Sequence, residues 1–497
     1  GGSLILVRLR GLLLLAASTV VVLGSVVVLA PARPEATGPN IVVILSDDQS
    51  IDSLPNHVST PMPYLQSLVD DPSGHWIRYS RAFDNTALCC PARATLLSGQ
   101  YSHHTGVQRN TDGALFDDTS TVATWLHDGG YHTGFVGKYL NQYPFGLGDY
   151  IPPGWDDWHA YKGNPTYYDY DLEENGQTVS YGSSEADYAT DILSGKAVDF
   201  LSQAPGTKPF FLWFAPYGPH HDGKDTNGNL IWNPAPRDKG AFDGMAPIHH
   251  PDFNETDVSD KPGWVQKLPL LDAQGVNQMD TDRQGEYETL LSVDDAVKAV
   301  VQELDAKGVL DNTVILYLTD NAFSFGEHRW ETKTCEYDEC QHIVFYVRDP
   351  AASARTDKTH LVSTVDVAPT VAELAGVTPT RTQDGMSLVP LLTGQRPPWR
   401  KGVLLRWAAS SGRDRPLVDP EREDFSEFDV TPFWGVRTLD YLYTELNTGE
   451  KELYDLNGKR GSRDPYSLDN RAGNPDYALA QARLAALLQQ LKGTQRG

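Results

Sequence analysis

Two almost continuous apolar runs constrain the fold of this chain most strongly. Residues 40–45 read NIVVIL and residues 313–318 read TVILYL. Short runs with so little polar alternation are typical of parallel strands that are buried on both faces. Such strands occur in α/β folds, in which helices cover both faces of the sheet. We therefore expect a large mixed, mostly parallel sheet flanked by helices.

Polar residues follow both runs at the point where each strand should end. Asp47 and Asp48 come after the first run, and Asp320 and Asn321 come after the second. Open parallel sheets bind ligands beyond the carboxyl ends of their strands, so these four side chains can converge in one crevice. Their hard oxygen donors suit Ca²⁺ or Mg²⁺ better than zinc or copper. The simpler interpretation is that each Asp only caps a turn or a helix after its strand.

A third stretch, residues 88–99, reads LCCPARATLLSG. Proline is best tolerated at the start of a helix, which places Cys89 at a helix N-terminus. Free backbone N–H groups and the helix dipole attract anions such as sulfate or phosphate to that position, and Arg93 can fold back toward it. The alternative is a buried cysteine pair that caps an ordinary helix, since free cysteine is often buried.

The positions of Cys89, Pro91 and Arg93 resemble the Cys-x-Pro-x-Arg signature of the sulfatase family, although Ala92 stands where the family usually has serine. The resemblance implies that Cys89, and not Cys90, is oxidised to formylglycine by a formylglycine-generating enzyme and becomes the nucleophile. It implies that Arg93 orients this group. It also implies a bound Ca²⁺ ion, or Mg²⁺ in its place. The ligands that the resemblance implies are Asp47, Asp48, Asp320, Asn321 and the modified Cys89.

Two lysines match further motifs of the same family. Lys138 lies in the run GKYLNQY, residues 137–143, and Lys333 ends the run GEHRWETK, residues 326–333. The resemblance implies that both are catalytic and bind the sulfate group, and we add His328 from the second run as a substrate-binding candidate. The first run, together with IPPGW at residues 151–155, looks like the glucosamine-6-sulfatase branch of the family.

The general acid is harder to place from the sequence. Tyr217 stands where the family has the histidine that protonates the leaving alcohol. We expect His220 to be the acid, with His221 as the alternative from the same loop, and we expect Tyr217 and His221 to contact substrate. If neither histidine acts, Tyr217 binds substrate while water or another group protonates the leaving oxygen. The long loop between residues 222 and 267 then forms the pocket rim, where His249, His250 and Trp264 either contact substrate or are exposed to solvent.

Composition excludes one class of partner and indicates a compartment. The chain has 66 acidic and 41 basic residues, a formal net charge of −25, which argues against nucleic acid as a partner. An apolar run from Leu12 to Ala30 after two arginines predicts an exported, extracytoplasmic protein. This run is either a cleaved signal peptide or an uncleaved membrane anchor. Of the four cysteines, Cys335 and Cys340 form the expected disulfide bridge.

We expect three segments in the chain. Residues 1–36 form the signal peptide or anchor, residues 37–397 the sulfatase catalytic domain, and residues 398–497 a smaller α+β subdomain with an antiparallel sheet. The strand-like runs at residues 402–407, 434–437, 441–446 and 451–456, and a final helix after Asn474, carry the last expectation.

The resemblance implies hydrolysis of a sulfate ester, either of a sulfated sugar similar to N-acetylglucosamine-6-sulfate or of an aryl sulfate. One alternative is a phosphodiester or phosphonate hydrolase of the same superfamily. Another is a catalytically silent protein that binds sulfated glycans, in which Tyr217 and Leu140, at family histidine positions, mark lost activity.

Overall fold

A ten-stranded sheet forms the centre of the protein. The computed structural model describes Gly1 and residues 37–53, 60–408 and 430–493, so the predicted signal or anchor segment lies, Gly1 apart, outside the described residues. The described strands are β1 (Asn40–Ser46), β2 (Trp76–Tyr79), β3 (Ala82–Phe83), β4 (His132–Gly137), β5 (Asp157–Tyr161), β6 (Asp171–Glu174), β7 (Gln177–Ser180), β8 (Phe210–Ala215), β9 (Thr313–Thr319), β10 (Ser324–Phe325), β11 (Glu331–Thr332), β12 (Phe345–Arg348), β13 (Arg355–Asp357), β14 (Val362–Ser363), β15 (Val403–Trp407), β16 (Phe433–Arg437), β17 (Tyr441–Leu446) and β18 (Lys451–Asp455).

The described helices connect these strands and cover the sheets. They are α1 (Pro63–Asp70), α2 (Cys89–Ser98), α3 (Ser102–Thr105), α4 (Val122–Asp128), α5 (Ala189–Gln203), α6 (Gly263–Gln266), α7 (Ala273–Ala306), α8 (Asp338–Gln341), α9 (Val367–Ala375), α10 (Val389–Leu392) and α11 (Ala478–Lys492). In the part of the chain that the structure describes, none of these helices is long and apolar enough to span a membrane.

The large sheet has the strand order β13-β2-β12-β9-β1-β8-β4-β5-β6-β7. Its five central strands, β9, β1, β8, β4 and β5, run parallel. Antiparallel strands flank them on both sides. The predicted mixed, mostly parallel sheet is therefore confirmed, and the two apolar runs are its neighbouring strands β1 and β9.

Both faces of this sheet are covered by helices, which explains why β1 carries apolar residues at successive positions. Val43 faces one core layer with residues of α2, α4 and α9. Val42 faces the opposite layer with residues of α5 and α7. All seven residues of β1 and all seven of β9 are buried. A strand enclosed in this way has no solvent-facing side on which polar alternation would appear.

The second sheet is a four-stranded antiparallel sheet of β15, β16, β17 and β18. Leu484 and Leu488 of α11 pack on one face of it against Leu404 and Val436. The opposite face joins a cluster with Trp264 and Tyr337 of the preceding part of the chain. The predicted small antiparallel sheet is confirmed, whereas the exact boundary at residue 397 stays a prediction.

Two expectations differ from the structure. Apolar residues recur at helical spacing from Tyr287 to Leu304 and predict a helix over that stretch. The helix α7 begins earlier, at Ala273, because the Asp272 carboxylate caps it by accepting from the N–H groups of Gln274 and Gly275. Trp264, expected at the pocket rim, is buried: its ring packs edge-on against Trp330 and its Nε1–H donates to Glu336 at 3.0 Å. Trp264 is only 4 % exposed and its N–H is satisfied, so the expected solvent exposure is wrong, and its contact with substrate stays a prediction.

Candidate active site

The ends of β1 and β9 bring the four predicted acidic and amide side chains together. Asp48 donates its backbone N–H to Asp320 Oδ1 at 3.2 Å, and Asn321 Nδ2 donates to Asp48 Oδ1 at 2.7 Å. All are at most 1 % exposed. Asp48 has a φ of 60°, a left-handed conformation that Asp tolerates better than most residues. This turn allows both Asp47 and Asp48 to approach the next strand's polar end.

The donor set fits a divalent cation. Asn321 Oδ1 is buried and has no hydrogen-bond partner among the described residues, which is costly unless a ligand meets it. Three carboxylates lie beside it, and oxygen donors of this type are those that Ca²⁺ and Mg²⁺ prefer. Burial and the neighbouring Asp47 raise the pKa of Asp320 to about 7, as expected for carboxylates that are crowded together. These residues could hold a metal ion.

Cys89 lies at the first position of α2 and faces this cluster. The helix starts there, so Pro91 falls in the first turn, where its missing N–H costs no hydrogen bond. The thiol Sγ is 3.5 Å from Asp47 Oδ1 and 3.6 Å from Asp48 Oδ1. Burial and Asp48 raise the pKa of the Cys89 thiol well above its ordinary value. The unmodified thiol is therefore a neutral, poorly nucleophilic group in this position.

Three cations surround the same point. Lys333 Nζ donates to Cys89 Sγ at 3.1 Å and to Asp48 at 2.5 Å. Lys138 Nζ lies 2.7 Å from Asp47 Oδ2, and Arg93 Nε donates to Asp320 at 2.8 Å. Burial alone would raise the pKa of Asp47, but Lys138 and Arg93 hold it well below its ordinary range. The site thus places three cationic side chains and three carboxylates around the buried Cys89 thiol.

His220 is the histidine that reaches this centre. Its Nε2 lies 3.3 Å from Asp48 Oδ2 and 3.5 Å from Lys333 Nζ, while its Nδ1 contacts the His221 carbonyl at 2.6 Å. That contact assigns the proton to Nδ1 in the neutral ring. Burial and Lys333 lower the pKa of His220 well below its usual value. His221 instead packs near the rings of Trp232 and Phe323.

Tyr217 packs against one face of the His220 ring. Its ring stacks on the imidazole with centroids 4.8 Å apart, and its hydroxyl donates to the His221 carbonyl at 2.7 Å. The Lys138 ammonium lies 5.4 Å from the Tyr217 ring centroid. Tyr217 is 2 % exposed. The tyrosine at the family's histidine position therefore packs between two residues of the site.

His328 lies apart from this group. Its Nδ1 contacts Glu255 at 2.7 Å and its ring centroid is 4.0 Å from that of Tyr337. Within the described residues its ring contacts these two side chains and Asp252, and not Cys89 or the two lysines. Its substrate-binding role stays a prediction.

Sequence reasoning missed the groups on α7 that hold the loop after Asp48. The Glu286 carboxylate accepts from Ser50 N at 2.6 Å and Ser50 Oγ at 2.7 Å, and Arg283 bonds Asp52 at 2.9 Å. Both side chains are buried among the apolar residues of the helix. Two charged residues three positions apart, in helical register with the buried Leu290 and Val293, are the signal that could have found them.

Two protein-family models match this chain. The model of the family described as Sulfatase matches residues 39–377, and a model described as N-sulphoglucosamine sulphohydrolase, C-terminal, matches residues 326–494. The chain belongs to the sulfatase family. It is accordingly a sulfuric ester hydrolase by family, and the predicted membership and enzyme class are confirmed.

Several curated sulfatases are similar over most of their length. An N-acetylglucosamine-6-sulfatase of Capra hircus is 31 % identical over 480 residues, covering 89 % of this chain and 81 % of the relative. The N-acetylglucosamine-6-sulfatase of Homo sapiens is 32 % identical over 401 residues, covering 77 % and 69 % respectively. The N-acetylglucosamine-6-O-sulfatase of Bacteroides thetaiotaomicron is 27 % identical and covers 93 % and 87 %.

Solved structures share the fold. A protein in complex with its substrate D-glucosamine-2-N,6-O-disulfate has a TM-score of 0.76 at 24 % identity, covering 92 % of this chain and 97 % of that one. A phosphonate monoester hydrolase of Agrobacterium radiobacter has a TM-score of 0.68 at 22 % identity, with coverages of 91 % and 95 %. The fold thus accompanies more than one reaction, and the site decides between them.

Proposed function

We propose that this sulfatase hydrolyses the sulfate ester of a sulfated sugar of the N-acetylglucosamine-6-sulfate type. The arrangement of Cys89 at the start of α2, between two Asp carboxylates and the Lys333 ammonium, carries the proposal. The curated relatives named above act on this kind of sugar by their names. The neighbour solved with a sulfated glucosamine supports the same substrate class.

We propose that a formylglycine-generating enzyme converts Cys89 before the protein acts. Formylglycine supplies a hydrated aldehyde, in which one hydroxyl attacks sulfur and the second expels sulfate. The unmodified thiol has no second hydroxyl group that could expel the sulfate in this way. Cys90 faces a different environment, since its backbone N–H donates to Asn110 Oδ1 at 3.1 Å and its side chain belongs to the apolar core. Cys89 is therefore the residue that we expect to be modified.

We propose Ca²⁺ as the resident cation, with Mg²⁺ as the alternative. Asp47, Asp48, Asp320 and Asn321 would hold it next to residue 89, and the bound cation lowers the pKa of the nucleophilic hydroxyl. Arg93 keeps Asp320 and Asp47 in place, through contacts of 2.8 Å and 3.3 Å. The ligands therefore stay aligned when substrate enters.

Lys138 and Lys333 bind the sulfate oxygens in this proposal. Both ammonium groups are at most 2 % exposed, so water screens their charge poorly. The first N–H groups of α2 add partial positive charge at the same place. These donors are fixed before the reaction, and they stabilise charge on the sulfate oxygens as the S–O bond breaks.

His220 donates a proton from Nε2 to the leaving sugar oxygen. The free ring carries its proton on Nδ1, so Nε2 takes up this second proton as the anionic sulfate enters, because that negative charge favours the imidazolium form. Its Nε2 faces Lys333 and Asp48, and its Nδ1–H is held by a backbone carbonyl, so the ring is oriented without substrate. Tyr217 fixes the plane of the ring by stacking. His221 and Tyr217 shape the pocket next to the sugar.

The extracellular sulfatase homologue of Drosophila melanogaster, 32 % identical, supports the proposal that this protein is secreted.

The decisive experiment compares Cys89→Ser with Cys90→Ser after co-production with a formylglycine-generating enzyme. Peptide mass spectrometry across residues 88–93 should show the aldehyde in the wild type and in Cys90→Ser only. Rates are then measured on N-acetylglucosamine-6-sulfate, an aryl sulfate, an aryl phosphodiester and a phosphonate monoester. Preference for the sugar sulfate supports the proposal. A higher kcat/KM on the phosphorus esters would replace it with the second hydrolase class, and binding without turnover would indicate a silent glycan-binding protein.

A further inference from the structure

A second cluster of ligand-type side chains lies outside the active site. Asp252, His328 and Glu339 each offer one ligand atom, and these atoms all lie within 4.8 Å of one another. They come from three segments: the loop before α6, the turn after β10, and helix α8. His328 N donates to the Asp252 carbonyl at 2.8 Å, and an antiparallel bridge joins the next pair, Phe253 and Glu327. The backbone thus fixes two of the three side by side.

The cluster is largely buried and one of its ligand atoms has no partner. Asp252 is fully buried and lies close enough to Glu339 for the two carboxyl groups to share a proton, whereas His328 Nε2 has no hydrogen-bond partner among the described residues. His328 Nε2 lies 4.0 Å from Asp252 Oδ2, while its Nδ1 is bonded to Glu255. The Glu255 bond places the ring proton on Nδ1, so Nε2 presents a lone pair to Asp252. A carboxylate behind the imidazole is the usual support of a metal-bound histidine.

The basic side chains near the cluster are paired with other carboxylates. Glu255 is paired with Lys261 at 3.1 Å, and Glu327 with Arg283 at 2.8 Å. No Lys or Arg of the described chain forms an ion pair with Asp252 or Glu339. Burial raises the pKa of the Asp252 carboxyl group, and burial together with the neighbouring Asp252 raises the pKa of Glu339. Two adjacent carboxylates in this position need either a shared proton or a bound dication.

We propose that Asp252, His328 and Glu339 form a second metal site, which binds Zn²⁺. An imidazole nitrogen with two carboxylates is a zinc-type donor set, whereas Ca²⁺ and Mg²⁺ take oxygen ligands. Two ligands of one zinc ion lie about 3 to 4 Å apart, so the present separations need only small side-chain adjustments. This site is independent of the catalytic cation, which has a different donor set.

The proposed site has a positioning role. His328 precedes Lys333 by five residues in the loop that carries this lysine to Cys89, and His328, Arg329, Thr332 and Thr334 all have positive φ values. Such a backbone persists only where its surroundings fix it. A zinc ion bridging Asp252, His328 and Glu339 would tie this loop to the neighbouring segment and so hold Lys333.

The test measures zinc per chain in the full-length protein under excess calcium, which occupies the catalytic oxygen ligands. Wild type and the control His250→Gln, a nearby histidine bonded to Asp52, should each bind about one zinc. His328→Gln and Asp252→Asn should bind none. Glu339→Gln, at the less buried ligand, serves if either variant misfolds by circular dichroism. X-ray absorption at the zinc edge should show one imidazole with oxygen ligands and no sulfur at about 2.3 Å.

Three results would overturn the proposal. Wild type that binds no zinc would leave the two carboxyl groups sharing a proton. Equal zinc in all well-folded variants would place the metal elsewhere. A sulfur ligand would place it at Cys89. Because these readouts need no turnover, they stand apart from the outcome of the sulfatase assay.

Discussion

At the scale of single residues, Asp320 links the proposed metal ligands to Arg93. Asp320→Asn keeps the shape of the side chain but removes its charge, so the pocket loses one hard anionic ligand. We expect calcium affinity to fall at least about 10-fold and kcat/KM at least about 100-fold. Isothermal titration with Ca²⁺ and steady-state kinetics measure both.

The matched control is Asp311→Asn, which removes a fully exposed carboxylate just before the same strand. It should behave as wild type. Calcium affinity that is unchanged in Asp320→Asn would show that Asp320 is not a ligand.

His220 and His221 are adjacent but have different surroundings, and leaving-group dependence separates them. A general acid matters most when the leaving oxygen is a poor leaving group. His220→Gln should slow the sugar sulfate by about 100-fold or more, and an activated nitrophenyl sulfate much less. His221→Gln is the neighbouring control and should slow both substrates to a similar extent. An equal loss on both substrates in His220→Gln would exclude it as the acid.

The sequence predicted the residues of this site that follow motifs or strand ends. Asp47 and Asp320 could be found because a polar residue after a buried parallel strand has few other places to point. The cluster of His328 with Asp252 and Glu339 could not be predicted from the sequence, because these residues come from segments without any periodic pattern. Only the folded chain places them within reach.

At the scale of elements, the end of β4 sets the position of Lys138. Gly137 has a φ of 123°, and a Cβ there would lie 1.9 Å from the Ala215 carbonyl oxygen, which accepts from Lys138 N. Gly137→Ala must therefore push β4 and β8 apart. We expect a loss of at least about 2 kcal/mol in unfolding free energy and a marked fall in kcat.

Gly163→Ala is the control for this change, because Gly163 has a φ of 80° but open space around it. Its cost should be limited to the backbone conformation, about 1 kcal/mol. Chemical denaturation of both variants measures the difference. Similar stability in the two would mean that the close approach to Ala215 is relieved without cost.

Helix α7 should give the protein a measurable pH dependence through Glu286. Burial raises the pKa of Glu286 from its ordinary 4.5 to about 7. The folded state therefore holds this proton more tightly than the unfolded state, and the stabilisation present below about pH 4.5 is lost as pH rises toward about 7. Glu286→Gln keeps the neutral form, so at about pH 8 it should be more stable by up to about 3 kcal/mol.

Thermal unfolding across this pH range tests the expectation. Glu288→Gln removes a partly exposed carboxylate of the same helix and should keep the wild-type profile. A Glu286→Gln protein with an unchanged slope of stability against pH would show that the carboxyl titrates normally in the folded state.

The elements themselves were predictable to different degrees. Buried strands such as β1 and β9 can be recognised because almost all of their central residues are apolar at successive positions. The first turns of α7 carry polar residues and were missed, since only the Asp272 cap marks where the helix begins. The burial of Trp264 depends on Glu336 and the second sheet, which are distant in sequence, so a loop-like composition around it was misleading.

At the scale of the whole molecule, the net charge of −25 opposes long polyanions. Raising the salt from about 0.01 M to about 0.15 M shortens the screening length from about 30 Å to about 8 Å. We therefore expect kcat/KM on a long, densely sulfated glycan to rise several-fold with salt. A sulfated monosaccharide, bound only by the buried lysines, should change less than about 2-fold.

A groove with basic side chains would reverse this salt dependence if it binds the glycan. A groove of about 1250 Å³ beside α11 is more basic than the chain as a whole: Lys401, Lys459, Arg460 and Arg483 line it, together with Asp440 and Asp476. If this groove guides long chains to the enzyme, their kcat/KM will fall with salt instead of rising, because local attraction is then what salt screens. Replacing Arg460 and Arg483 with Gln distinguishes the cases: the fall would disappear in that variant, whereas a rise with salt caused by net charge would grow.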